Sequence, residues 1–250
     1  MIEPSVFIVA PTNFRGLCLI YPPTVREVVT DPNFGIYQKI LTITAEDIKD
    51  EAAKEKKEVA HTTALEFVLG CSYNSIEFRT FAKKAFELFL HEPVTFCYEE
   101  KQIIIGDLEK EVQKIKNVSA VRILDESNYF DFQNAIRASL GLKEYAAPEL
   151  PPPNEDPRIT AIKEKARQRD RIKARQKNKD GIQLSTCLAA ICCMGIGITP
   201  LNIGELSYAS IGTIMNMMQD KEKYDIDIRS LLAGASSKKV KPKYWIRNND

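Results

Sequence analysis

The chain of 250 residues is 44% hydrophobic and carries a formal charge of +1. That length suits one or two domains, and the near-neutral balance excludes a chain built throughout for polyanions. Its longest apolar run, "CLAAICCMGIGI" (187–198), is 12 residues, short of the roughly 20 that cross a bilayer, and "MIEPSVFIVAPTNFRG" lacks the basic start and long apolar core of a signal peptide.

In chain order, "SVFIVA" and "GLCLIY", split by "PTNFR", read as a hairpin or two nearby strands. Thr24 and Glu27 have capping-box spacing, which starts a helix after Thr24. Asp31-Pro32 reads as a cap followed by proline at the first helical position, launching "NFGIYQKIL". Thr44 and Asp47 open a third helix, "AEDIKDEAAKEKKEV", whose charged back half points to solvent. "TTALEFVLG" and "SIEFRTFAKKAFELFL" follow as helices, the second with Phe78, Phe81, Ala82, Ala85 and Phe89 on one face. "VTFCY" and "QIIIG" flank "EEK" as a second hairpin over 94–98 and 102–106. "LEKEVQKIK" and "NYFDFQNAIRASLG" are helical, the latter closed by Gly141 just past its end.

Five prolines crowd "AAPELPPPNEDP" (146–157), a composition that is extended and semi-rigid. The next 22 residues, 158–179, hold ten Lys or Arg against Glu164 and Asp170. That local +8 leaves −7 on the rest of the chain. "IQLSTCLAAICCMG" is apolar nearly all round and should be buried. "GIGITPLNIGEL" reads as a glycine-rich connector, with Thr199-Pro200 as a helix start and no phosphate-loop pattern. After Ser207 a helix carries Tyr208, Ile211, Met215 and Met218 on one side and runs on towards "DIDIRSLLAG".

The resulting fold class is α+β, mostly α. An N-terminal α+β domain (1–146) of helices and short hairpins precedes a Pro-rich linker (147–157), a basic helix (158–180) and an all-helical C-terminal domain (181–250).

No catalytic or metal set emerges from these residues. His61 and His91 are the only histidines, and the six cysteines form no CxxC pair. Cofactors are not expected, and neither is enzymatic activity. The unpaired thiols fit a reduced, intracellular setting. Tyr208, Ile211, Met215 and Met218, joined by Tyr224, Leu231, Tyr244 and Trp245, form a candidate partner-binding surface, because methionine side chains repack readily around apolar targets. In the basic segment, Arg167, Arg169, Arg171, Lys173 and Arg175 are the residues to test. The segment lacks aromatic residues for stacking on bases, so protein docking or a solvated connector is preferred to nucleic acid.

"LIYPPTVREVV" with "FGIYQKILTITAEDIKDE" resembles the opening of phage tail assembly chaperones from Gram-positive hosts. "NYFDFQNAIRASLGL" is similar to their central helix. "KEKYDIDIRSLLAGASSKKVKPKYWIRN" resembles their close, including Tyr224 to Gly234 and Trp245. The resemblance implies a chaperone in the host cytoplasm that binds the tape-measure protein, delivers it to the tail tube and then leaves. Tail tube protein and further copies of the chain join the partners it suggests. Many such chaperones are shorter and lack a Pro-linked second half, although some are made as frameshifted fusions. The rival expectation is a nucleic-acid-associated phage protein acting through 158–179.

Overall fold

Two consecutive residues with positive φ, Arg15 (50°) and Gly16 (73°), form the first reversal among the described residues. Such a pair twists with the flanking strands, as tight hairpins require. In the computed structural model, Leu17 N–H donates to Phe14 O across this turn (2.8 Å), and Asn13 Oδ1 accepts from Gly16 N–H (2.8 Å). Strands β1 (Thr12–Phe14) and β2 (Cys18–Ile20) pair antiparallel, with Phe14 opposite Cys18. Strand β1 thus falls inside the stretch read from sequence as the turn, while residues 5–9 of the strand expected before it lie outside the described residues. Residues described are 10–54, 63–106, 121–146, 158–159, 162–163, 165–166, 169, 183–236 and 240–244, with side chains omitted at 51–54.

Helix starts follow local chemistry closely. Helix α1 (Val25–Thr30) has the full Thr24/Glu27 capping box. Helix α2 (Phe34–Thr42) departs from expectation: its N-cap is Asn33, so Pro32 precedes the helix rather than opening it. Asp31 supplies the reason, since its side chain accepts from Asn33 N–H and holds a turn there (2.8 Å). Helix α3 (Ala45–Lys54) opens on reciprocal Thr44–Asp47 hydrogen bonds. Helix α4 (Ala64–Asn74) has a second complete capping box, Thr63/Glu66. Helix α5 (Ile76–Leu90) starts at Ser75 and buries Ala82, Ala85, Phe86, Phe89 and Leu90, while Phe78 and Phe81 pack partly buried against the same core.

Strands β3 (Val94–Cys97) and β4 (Gln102–Ile105) form the expected second hairpin. A third strand, β5 (Ile123–Leu124), adds to β4; its two residues are too short a run to stand out in sequence. The expected helix at 108–116 lies outside the described residues, as do His61 and the linker 147–157. Helix α6 (Tyr129–Ser139) ends in a Schellman arrangement. Gly141 (φ 70°) donates to Ala138 O, and Leu142 N–H donates to Arg137 O.

These elements share one core. The rings of Phe14, Phe132, Phe86 and Phe96 follow one another at centroid spacings of 5.7, 5.8 and 6.0 Å, tying the first hairpin, α6, α5 and β3 together. Helix α6 also terminates α2. The buried Gln133 amide donates to Leu41 O (3.2 Å) and Ile43 O (2.9 Å), carbonyls that a helix end would otherwise leave unpaired.

The chain divides into two units, Met1–Glu144 with Thr199–Asp250, and Tyr145–Ile198. This regroups the expected C-terminal domain 181–250, because its larger part belongs with the N-terminal residues. Thr24 and Ser207 form an antiparallel bridge, Val25 N–H donates to Leu206 O (2.9 Å) and Tyr208 N–H to Pro23 O (2.8 Å). Arg26 pairs with Glu205 on a single-turn 3-10 helix, Ile203–Glu205, which is all the helix between Thr199-Pro200 and Ser207.

The second unit contains α7 (Leu184–Cys193), expected to be buried all round. Only Ile191 is buried there; Cys193 and Met194 are exposed. Burying every face needs covering layers on every side, and the described residues of this unit offer only one other helical stretch. Those at 158–169 are all helical and exposed.

Candidate protein-binding surface

Ser207 starts α8 (Tyr208–Leu232) by accepting from Ser210 N–H. The helix has 25 residues, about 37 Å at the usual rise. Its buried residues, Ser210, Ile211 and Ile214, all fall in the first two turns. This base is firmly seated: Tyr208 meets Phe34 edge to face (5.6 Å, 64°), and Ala209 lies against Gly141.

The candidate surface therefore separates into two sets. Tyr208 and Ile211 belong to the seat of α8, with Ile211 only 5% exposed. Met215, Met218, Tyr224 and Leu231 lie further along, half-buried, with Ile228 among them. Met217, Ile226 and Leu232 are exposed beside them. The tail meets this outer part, where Tyr244 packs edge-on against Tyr224 (5.7 Å, 88°). Trp245 lies outside the described residues. Charges fill the intervening turn, including the Lys221–Asp225 pair (3.1 Å), so the apolar row is interrupted and suits a partner with polar as well as apolar contacts.

Sequence reasoning missed two grooves, because each is assembled from separate elements. Gly35, Ile36, Ile40 and Ile43 of α2 and the residue after it line one with Phe67, Val68 and Phe78, with Lys39 on its wall; its volume is about 360 Å³. The i, i+4 and i+8 spacing of Gly35, Lys39 and Ile43 is the only sequence signal for it. The second, of about 540 Å³, lies between α4 and the β3–β4 turn and is lined by Glu66, Leu69, Tyr73, Tyr98, Glu99 and Lys101. Lys101 Nζ donates to Glu66 Oε1 (2.6 Å). That bond, with Thr63 N–H, holds the Glu66 carboxyl below its ordinary value; both groups face solvent, so the effect on stability is small.

Of the basic test residues, Arg169 is helical and exposed; Arg167, Arg171, Lys173 and Arg175 lie outside the described residues. His91 ends α5 in the left-handed region (φ 53°), its ring stacked on Tyr21 at 4.0 Å. Among the described residues, no His, Cys, Asp and Glu side chains group in a way that could hold a metal ion, and no helix is long and apolar enough to cross a membrane.

The free cysteines provide a probe of this arrangement. Burial pushes the Cys18 thiol up to about 11, against the opposing pull of Arg122, whereas Cys193 is exposed. Maleimide labelling read by mass spectrometry should modify Cys193 readily at neutral pH and Cys18 only when urea unfolds the chain. Equal labelling rates would contradict the burial. A raised thiol pKa favours the folded state below the ordinary value of 9.0; this contribution should fade as pH rises from about 9 to about 11.

No protein-family model matches this chain, and neither does any curated protein or solved structure.

Proposed function

We propose that this chain is a phage tail assembly chaperone, a non-enzymatic binding protein that acts in the host cytoplasm. In this reading it holds the tape-measure protein soluble and hands it to the growing tail tube. The observation that supports it most is α8. Its base is fixed by Ile211 and Ile214, and its outer turns carry Met218, Ile228 and Leu231 half-buried with Ile226 and Leu232 exposed. An arm of this kind gives a long apolar helix something to lie against, and methionine adapts to varied partners. The sequence resemblance at both ends and the middle points the same way.

The test is co-expression with a candidate tape-measure protein, a long helical chain sought among the neighbouring genes. Wild-type chain should keep that protein in the soluble fraction, and Ile226→Asp/Leu232→Asp should return most of it to the pellet. Both substitutions fall on exposed positions, so circular dichroism of the variant should match the wild type. Equal solubility with either chain, or with neither present, would defeat the proposal. The rival reading, a nucleic-acid-associated phage protein, draws on exposed Arg158, Lys163, Lys165 and Arg169, and the binding measurements below separate it.

A further inference from the structure

We propose that the face formed by Arg158, Ile159, Ile162, Lys163, Lys165, Ala166 and Arg169 is a docking site for an acidic amphipathic helix of a partner protein. Two side-chain rows carry the argument. Ile159, Ile162 and Ala166, at i, i+3 and i+7, share one stripe of a helix. Arg158, Lys165 and Arg169, at i, i+7 and i+11, make the row beside it. Lys163 falls on the stripe's other flank. Every one of these residues is helical and exposed, with Ile159 at 48% and Ile162 at 66%. Ile159 and Ile162 with Ala166 thus form a thin apolar row bordered by cations.

The chemistry of the face selects its occupant. A solvated spacer needs the charges but not the isoleucines. Nucleic acid would use the cations through its phosphates, yet it has no surface to cover aliphatic side chains, and the segment has no aromatic ring for base stacking. A membrane surface would need a wider apolar face, usually with aromatic anchors, because binding scales with buried apolar area. A partner helix with leucine-like residues along its centre and carboxylates on both edges matches both rows at once. Arginine adds paired hydrogen bonds to such carboxylates, and the long cationic stems cover the rim of the contact. The surrounding charge reinforces the choice: the local +8 sits in a chain that otherwise sums to −7, so acidic partners are drawn to this segment specifically. The inference does not rest on the chaperone reading and survives its failure.

The experiment uses the full chain and a dye-labelled synthetic helical peptide with a leucine stripe flanked by glutamates. Fluorescence anisotropy should register saturable binding at moderate salt. Ile159→Ser/Ile162→Ser, which leaves the charge unchanged, should weaken it about tenfold or more. Lys165→Ala/Arg169→Ala should weaken it too and flatten its salt dependence. Parallel titrations with a duplex oligonucleotide and with phosphatidylserine vesicles should give weaker binding that the isoleucine variant leaves unchanged. Tighter binding to oligonucleotide or vesicles than to the peptide would overturn the proposal, as would a peptide affinity indifferent to the isoleucines.

Discussion

Phe132→Ala is expected to lower the free energy of unfolding by about 3–5 kcal/mol, the cost of deleting a buried phenylalanine that neighbours cannot replace. Phe132 is fully buried and touches rings from three directions. Phe14 meets it edge-on at 5.7 Å, Phe86 stacks on it at 5.8 Å, and Tyr129 tilts against it at 6.1 Å. Those partners sit on the first hairpin, α5 and α6, so the cavity opens where separate elements converge. Domains of this kind are stable by only about 5–15 kcal/mol, which makes the loss a large share of the total. Urea unfolding followed by near-ultraviolet circular dichroism should give a lower midpoint at unchanged slope. A loss under about 1 kcal/mol would mean that the ring cluster does not organise the core.

Gly141→Val should cost about 2–4 kcal/mol, through backbone and packing together. Gly141 has φ 70° in the turn that ends α6, a region that β-branched residues adopt only under strain. A Cβ there would lie 3.2 Å from both Cα and Cβ of Ala209 in the first turn of α8. The main-chain Cα cannot swing aside as a flexible side chain would. Hydrogen exchange should speed up most at the seat of α8 around Ser210 to Ile214, beyond the change elsewhere in the unit. Gly212→Ala is the control: it lies within α8 with open space around it, and should be neutral or stabilising by up to about 1 kcal/mol. Similar losses for both variants would contradict the close approach of α6 and α8.

The regrouping of the C-terminal residues bears on how the two units can be studied. Because Thr199–Asp250 belongs with Met1–Glu144, truncation after residue 146 removes part of the first unit's own packing. It takes away the Thr24–Ser207 bridge, the Tyr208–Phe34 contact and the Arg26–Glu205 pair. Excising the intervening residues 145–198 instead leaves both partners of each of these contacts in the chain.

Features set by residues a turn apart were legible in the sequence alone. Thr24 with Glu27 and Thr44 with Asp47 mark helix starts because each pair completes its hydrogen bonds within three residues; the Thr63–Glu66 box obeys the same rule but was recognised only in the structure. The apolar face of α5, the hairpin at 94–105 and the glycine beyond α6 follow from equally local rules. Of the candidate surface, the apolar spacing along α8 could be read, but not which of its turns are fully seated and which are left half-buried or exposed. Tertiary structure decided that, by placing Phe34, Gly141 and Pro23 around Tyr208 to Ser210. It also decided the pairing of β5 with β4, the termination of α2 by Gln133 and both grooves. Each joins residues far apart in the chain, and a periodic pattern records that a face is apolar without recording what covers it.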